Sequence, residues 1–136
     1  MAGFYVISCD DAPAQKTMDA GRFTIQTPSA WTLEELQGYD SSVKQITIND
    51  TEKISIDVGW YADNLNVDPV THEITTKTID NFNAKIVRPI NFNEGITGVY
   101  FETIDLAGTK LHMSGTNLSA MNQRIFLNAI ETLNFK

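Results

Sequence analysis

At 136 residues the chain is long enough for a single domain with one hydrophobic core. Hydrophobic residues make up 42% and charged residues 20%, and no apolar run approaches the roughly 18 to 20 residues that cross a bilayer as a helix. A helical membrane span is therefore excluded for the sequence given. Lys and Arg number 10 against 17 Asp and Glu. Because no basic cluster is present to bind phosphates, nucleic acid is excluded as a partner.

The N-terminal segment contains the only cysteine, Cys9, so an intrachain disulfide is impossible. The residues Val6-Ile7-Ser8-Cys9 resemble a bacterial lipobox, in which a small residue precedes a cysteine that is lipidated. Only eight residues, none of them Lys or Arg, precede Cys9, so the match covers just the end of such a signal. We predict a lipobox-like segment and tether over residues 1–20, with Cys9 as the lipid attachment site. The alternative is that residues 4–8 form a first strand and Cys9 is an ordinary thiol.

Lipidation of Cys9 places the protein in the bacterial cell envelope, in the periplasm or at the outer membrane. The chain then contacts the membrane only through its anchor. Without an upstream signal the expected location is the cytoplasm. In either case the folded domain is predicted over residues 21–136.

Alternating apolar and polar residues predict a sheet over most of this domain. Residues 22–27 alternate in this way and Pro28 ends the strand, because proline cannot donate to a ladder. Residues 44–49 and 53–61 predict a hairpin around Asp50-Thr51-Glu52. Short connections cannot contain parallel crossovers, so the later strands should be antiparallel too. These strands are predicted at residues 71–80, 84–90, 98–105 and 110–115.

Two segments have helical signals. Thr32 lies three residues before Glu35, the spacing of a capping box, and Gly38 can end the turn, so a short N-terminal helical segment is predicted. Near the C-terminus, apolar residues recur every three or four positions from Asn117 onward and predict an amphipathic helix. This apolar stripe consists of Leu118, Met121, Ile125, Ala129 and Leu133, with Phe126 and Ile130 beside them. The last five residues either continue the helix or return as an edge strand, and their composition favours the strand.

The predicted fold class is α+β, with a single antiparallel β-sheet packed against the C-terminal helix and the short N-terminal helical segment. The opening Phe23, Ile25, Pro28 and Trp31, the "QGYDS" of residues 37–41 and the helix-strand ending resemble the Mog1/PsbP-like proteins, including their DcrB-like relatives. The resemblance covers residues 21–136 and implies an α/β/α sandwich. Members range from a Ran-binding nuclear factor to photosystem accessory subunits, bacterial lipoproteins and chaperones for secreted effectors. The shared motifs are packing motifs, so no functional residue transfers with them.

Catalytic chemistry has little support in the sequence. His72 and His112 are the only possible histidine bases, and neither lies in a nucleophile motif. His112 is expected to be a solvent-facing or capped sheet histidine. Asp57 lies on a polar strand face and would need a second carboxylate opposite it for acid-base work. With no metal-ligand spacing either, we predict no enzyme activity, no catalytic residue, no metal site and no cofactor.

Four aromatic residues form the remaining candidate site. Trp31, Tyr39, Trp60 and Tyr61 lie at strand ends near glycines, where amphipathic rings can line a cleft or a binding patch. The alternative is that they are ordinary core and rim residues.

The expected function is that of a non-enzymatic accessory or binding domain, displayed as a bacterial envelope lipoprotein. Its expected partner is a protein or a small apolar ligand, and its oligomeric state is left open. One alternative is an intracellular chaperone for apolar segments of a secreted protein. Another is a helix-grip carrier of a small apolar ligand.

Overall fold

The computed structural model describes residues 15–36, 42–91 and 93–136. Within these ranges it has ten strands and one helix, and all strand pairings are antiparallel. The strand-rich, antiparallel α+β class is confirmed. The described helix is too short to cross a membrane. The elements are β1 (Gln15–Asp19), β2 (Phe23–Pro28), β3 (Thr32–Leu36), β4 (Ser42–Thr47), β5 (Lys53–Gly59), β6 (His72–Ile79), β7 (Phe82–Pro89), β8 (Ile96–Phe101), β9 (Lys110–Thr116), α1 (Ala120–Ile130) and β10 (Asn134–Phe135).

The prediction of a single sheet is wrong, because the strands form two. A small sheet has the order β1-β2-β10, and a large sheet has the order β3-β4-β5-β9-β8-β7-β6. The chain leaves the small sheet at Pro28, whose carbonyl accepts a hydrogen bond from the Trp31 N–H in a tight turn. Because proline cannot continue the ladder, β2 ends there and β3 begins in the other sheet.

The predicted N-terminal helical segment is also wrong, because Thr32–Leu36 forms β3. This strand pairs with β4, so its backbone groups are satisfied by a neighbouring strand instead of a helical turn. Two polar contacts hold the pair, from the Thr47 hydroxyl to Glu34 at 2.6 Å and from the Lys44 ammonium to Glu35 at 3.5 Å. Pairing with β4 thus outweighs a local capping pattern, as is common for short segments.

The folded unit begins before the predicted boundary at residue 21. Gln15–Asp19 forms β1, which pairs with β2 along its whole length. Met18 is buried in the core, which explains why this end of the predicted tether is ordered into a strand. Cys9 and the lipobox-like residues lie outside the described residues.

Helix α1 packs between the two sheets, in contact with β2 and β8. It begins at the N-cap Ser119, whose hydroxyl accepts from the Asn122 N–H at 3.1 Å. A C-terminal helix is therefore confirmed, and its predicted apolar face is largely buried, with Met121 as the exception. Met121 is exposed, while the buried residues of the helix are Gln123, Phe126, Ala129 and Ile130.

The chain ends as a strand, as its composition favoured. β10 pairs with β2, and the Phe135 ring makes edge-to-face contacts with Phe23, Phe82 and Phe101. The C-terminal residues therefore join the small sheet, the β6–β7 hairpin and the large sheet in one core.

The large sheet has two different faces. Its core face is formed by the set that includes Ile54, Ile56, Leu111, Met113 and Phe101, which packs toward α1 and the small sheet. Its outer face is formed by the alternate residues, among them Asp57, His112, Tyr100 and Lys85. These four lie in direct cross-strand register on β5, β9, β8 and β7.

Glu52 connects the β4–β5 hairpin to the start of α1. Its carboxylate accepts from the Ser119 N–H at 2.6 Å, from the Asn122 amide at 3.0 Å and from the Asn49 amide at 2.9 Å. Burial by itself would raise the pKa of Glu52, but these three donors outweigh it and lower the pKa below its usual value. The folded state therefore favours the ionised carboxylate.

Replacing Glu52 with Gln should lower the free energy of unfolding at neutral pH by about 1–2 kcal/mol, since charge-assisted hydrogen bonds are lost. An unfolded glutamate titrates near 4.3, above the folded value, so the contribution is present above about pH 5 and is lost as pH falls through the folded pKa. Urea unfolding between pH 7 and pH 3 measures this. The exposed Glu94→Gln is the control. Equal acid sensitivity of wild type and Glu52→Gln would contradict the assignment.

Candidate ligand-binding cleft

The four predicted aromatic residues do not form one patch. Trp31 is buried, at 4% exposure, next to the start of β3. The register β3-β4-β5 places that point beside Lys53, whereas Trp60 follows Gly59 at the other end of β5. Six strand steps separate these ends by roughly 20 Å. Tyr39 lies outside the described residues.

Trp60 and Tyr61 remain together and exposed, at 64% and 76%. We call this pair the aromatic ridge. It begins the loop of residues 60–71 that joins β5 to β6. Because β9, β8 and β7 lie between those strands, the loop must cross the large sheet.

The loop crosses on the outer face and is anchored there. Leu65 is 2% exposed and Ala62 is also buried, yet both lie outside the main core, as does Val87 on the outer face. Leu65 has a φ of 59°, a left-handed conformation that is uncommon for leucine. Its N–H donates to the Asp63 carboxylate at 3.2 Å. The loop therefore holds an apolar side chain against the sheet at a conformational cost.

His112 forms the polar anchor of the loop. Its ring is 9% exposed, with Nδ1 at 3.0 Å from the backbone oxygen of Asp63 and Nε2 at 2.7 Å from the Ser114 hydroxyl. A carbonyl oxygen can only accept, so Nδ1 of the neutral ring carries the proton and Nε2 accepts from Ser114. This is the capped sheet histidine that the sequence suggested, with the loop as its cap.

Asp57 lies opposite His112 in the register, so the structure places a histidine and not a second carboxylate across from it. Its Oδ1 atom is buried without a hydrogen-bond partner among the described residues. His72 lies elsewhere, where Nε2 accepts from the Ile96 N–H at 3.0 Å and joins β6 to β8. The two histidines are therefore separate structural contacts. In the part of the chain that the structure describes, no cluster of three potential metal ligands occurs.

Between the loop and the outer face lies an open cleft of about 750 Å³. The loop forms one wall through Ala62, Asp63 and Asn64. The large sheet forms the other wall. It contributes residues from β6, β7 and β8, Glu102 directly after β8, and the first residue of β9. These sheet-side residues are Thr76, Asn83, Ala84, Lys85, Tyr100, Glu102 and Lys110.

Several polar side chains of the cleft have no partner in the part of the chain that the structure describes. Thr76, Asn83, Glu102 and Lys110 form no side-chain hydrogen bond or ion pair with any described residue. Lys85 lies over the Tyr100 ring, 5.7 Å from its centroid. Burial raises the pKa of the Tyr100 hydroxyl, and the Glu102 and Asp63 carboxylates raise it further, so the hydroxyl stays protonated and can donate.

Trp60 of the aromatic ridge lines a second cavity and not this cleft. The second cavity has a volume of about 600 Å³ and includes Arg22, Lys44 and Thr109. Arg22 is paired with Asp105 at 2.6 Å and Lys44 with Glu35 at 3.5 Å. The cations of this second cavity are therefore in ion pairs, whereas Lys85 and Lys110 in the first form none with the described residues.

Sequence reasoning missed the sheet wall of the cleft. Lys85, Tyr100 and Lys110 each alternate with buried residues along a strand, which marks them as outward-facing. Their convergence depends on the register of three strands, which the sequence does not display. The strand-end position of Trp60 and Tyr61 was the one local signal that pointed to this region.

Comparison with protein-family models gave no match, and comparison with curated proteins gave no significant match. The Mog1/PsbP-like resemblance therefore depends on the sequence motifs alone.

Proposed function

We propose that this protein is a non-enzymatic binding domain of the bacterial envelope, whose ligand site is the cleft between residues 60–71 and the outer face of the large sheet. The observation that carries the proposal is the set of polar side chains in this cleft that have no hydrogen-bond or ion-pair partner among the described residues. A concave site of about 300–1,000 Å³ with convergent polar groups is typical of ligand sites. The Mog1/PsbP-like family and the lipid on Cys9 are parts of the same proposal.

The non-enzymatic part is supported by the role of His112. Its Nδ1 atom is held by a backbone carbonyl and its ring is largely covered, so the His112–Ser114 pair is engaged in holding the loop. A hydrolytic site needs a nucleophile that substrate can reach and donors for the oxyanion. Neither histidine lines the cleft.

The geometry favours this site over the two other binding modes. Phe126 and Ile130 of α1 are completely buried between helix and sheets, so a ligand held by the helix is not supported. A chaperone needs a continuous apolar groove, whereas the exposed apolar side chains belong to separate elements. Among the described residues these side chains are Leu36, Trp60, Tyr61, Val70, Ile74, Ile90, Leu106 and Met121.

A fragment screen by amide NMR tests the site without knowledge of the ligand. We expect small polar fragments to shift the amides of Ala62–Asn64, Lys85 and Tyr100 together, because bound fragments concentrate where polar and aromatic groups converge. Lys85→Met should weaken those shifts, and Lys16→Met on β1 should leave them unchanged. Fragment shifts that are scattered over the surface, or that cluster elsewhere, would contradict the proposal.

The anchor is tested separately by growth of the native cell with a radioactive fatty acid. Label should enter the protein and disappear in Cys9→Ala. Label that persists in that variant would contradict lipidation at Cys9.

A further inference from the structure

We propose that two copies of this protein pair through an exposed edge of the large sheet, with strand β6 of one copy antiparallel to β6 of the other. The inference does not depend on the proposed function of the cleft. It assigns an oligomeric state, which the sequence left open.

Strand β6 is the outermost strand of the large sheet at the end opposite β3. With eight residues it is the longest edge strand in the part of the chain that the structure describes. Every residue from Glu73 to Thr78 is exposed, and the strand contains no proline or glycine. Folded proteins usually cover, shorten or interrupt such an edge, because its free N–H and C=O groups are a template for another strand. This edge is therefore a candidate pairing surface.

Alternate residues of β6 direct their backbone groups toward this edge. The Ile90 N–H donates to the Thr71 carbonyl at 3.0 Å, so Thr71 is in a hydrogen-bonded pair with the β7 side. Because such pairs alternate along an antiparallel ladder, the odd-numbered residues of β6 bond to β7. The even-numbered Ile74, Thr76 and Thr78 therefore direct their N–H and C=O groups outward. Among the described strands, none pairs with β6 on that side.

One register of the pairing brings opposite charges together. When two antiparallel copies of β6 are centred on Thr75, Glu73 of each copy lies opposite Lys77 of the other. In this register Ile74 faces Thr76 of the second copy, so the outward backbone groups of both strands can bond. Glu73 and Lys77 then occupy the closely spaced pairs between those hydrogen bonds, where opposite charges stabilise a sheet and like charges destabilise it. Registers centred on Ile74 or Thr76 match no opposite charges.

The two charged residues are already held near the edge by ion pairs within the chain. Glu73 contacts Arg88 and Lys77 contacts Glu131, each at 2.7 Å. Pairing of two copies joins these contacts into a series of alternating sign, which runs from Arg88 and Glu73 of one copy to Lys77 and Glu131 of the other. Networks of this kind contribute more than isolated surface pairs, because the side chains are already ordered.

The charges of the opposite edge favour β6 over β3. β3 has five residues, of which Glu34 and Glu35 are acidic and none is basic. A second copy of β3 would bring carboxylates together in a chain whose net charge is −7. Self-pairing through β3 is therefore disfavoured, whereas β6 carries one acid and one base at positions that match each other.

The pairing also determines how the two clefts are arranged. The two-fold axis passes between the two copies of Thr75 and is perpendicular to the sheet, so both outer faces point the same way. Thr76 lines the cleft and is the next residue along β6. The two clefts therefore lie side by side, on either side of the axis.

Sedimentation velocity over a range of protein concentrations tests the inference. We expect a reversible dimer, and expect Lys77→Glu and Glu73→Lys each to weaken self-association by about tenfold or more, because both intermolecular ion pairs become repulsive. An equimolar mixture of the two variants should dimerise again, since both repulsive pairs are then replaced by attractive ones. Arg124→Glu, an exposed position on α1, makes the same charge change as Lys77→Glu and should leave association unchanged.

A backbone variant tests the hydrogen bonds of the edge. Thr76→Pro removes an N–H that faces outward, which the β6–β7 hairpin does not use, so the fold should persist while the dimer is lost. Circular dichroism checks the fold of each variant. A wild type that stays monomeric at all concentrations would overturn the inference. A dimer that is unaffected by the charge variants, or a mixture that does not recover association, would also overturn it.

Discussion

Phe126→Ala is expected to lower the free energy of unfolding by about 3–5 kcal/mol, the usual cost of truncating a fully buried phenylalanine. Phe126 is completely buried, on the face of α1 that packs between the two sheets. Removal of its ring leaves a cavity and takes away apolar contacts in the main core. A loss of this size is a large part of the stability of an ordinary domain.

Met121 provides the control on the same helix. It belongs to the apolar stripe predicted from the sequence but is 62% exposed, so Met121→Ala should change stability by less than about 0.5 kcal/mol. Urea unfolding of both variants decides which face of α1 is buried. Equal losses, or a larger loss for Met121→Ala, would contradict the burial of Phe126 and the exposure of Met121.

Leu65→Ala is expected to release the loop of residues 60–71 from the outer face, at a cost of about 2–4 kcal/mol. Leu65 is the buried side chain that directly follows the loop wall, and its left-handed conformation is tolerated because it places that side chain against the sheet. An alanine keeps the conformational cost and loses most of the apolar contact. The cleft should lose its loop wall as a result.

Amide hydrogen exchange measures this release. Amides of residues 62–65 should exchange faster in Leu65→Ala, while those of the β4–β5 hairpin stay protected. The neighbouring Asn66 is exposed, so Asn66→Ala is the matched control. Uniformly faster exchange over the whole domain would show that Leu65 supports the core and not a separate loop.

The local parts of the fold could be predicted from the sequence. The hairpin around Asp50–Glu52 follows from alternation on both sides of a short polar turn. The β6–β7 hairpin turns at Asp80 and Asn81, both with positive φ, which these two residue types tolerate well. In both cases the determining residues are adjacent in the chain.

The separation into two sheets could not be predicted in this way. β10 pairs with β2 across more than a hundred residues, and β3 became a strand only because β4 lies beside it. Thr32 and Glu35 have a capping-box spacing that is equally compatible with a strand. Short segments of this kind take their structure from tertiary partners.

In the candidate site, too, only the local features could be predicted. Trp60 and Tyr61 could be found because they end a strongly alternating strand. Trp31 could not be distinguished from these exposed residues, because its burial depends on the other sheet. Lys85 and Tyr100 come together through cross-strand register alone. The aromatic ridge was therefore predictable, while the polar wall was not.

The central claim is that the loop of residues 60–71 lies on the outer face and forms one wall of a cleft, and the protonation site of His112 tests it most directly. Long-range proton–nitrogen NMR of the neutral ring should place the proton on Nδ1, with close contacts between the ring and Asp63. A proton on Nε2, or a ring without contact to Asp63, would mean that the loop is not held as described and that the cleft loses its wall.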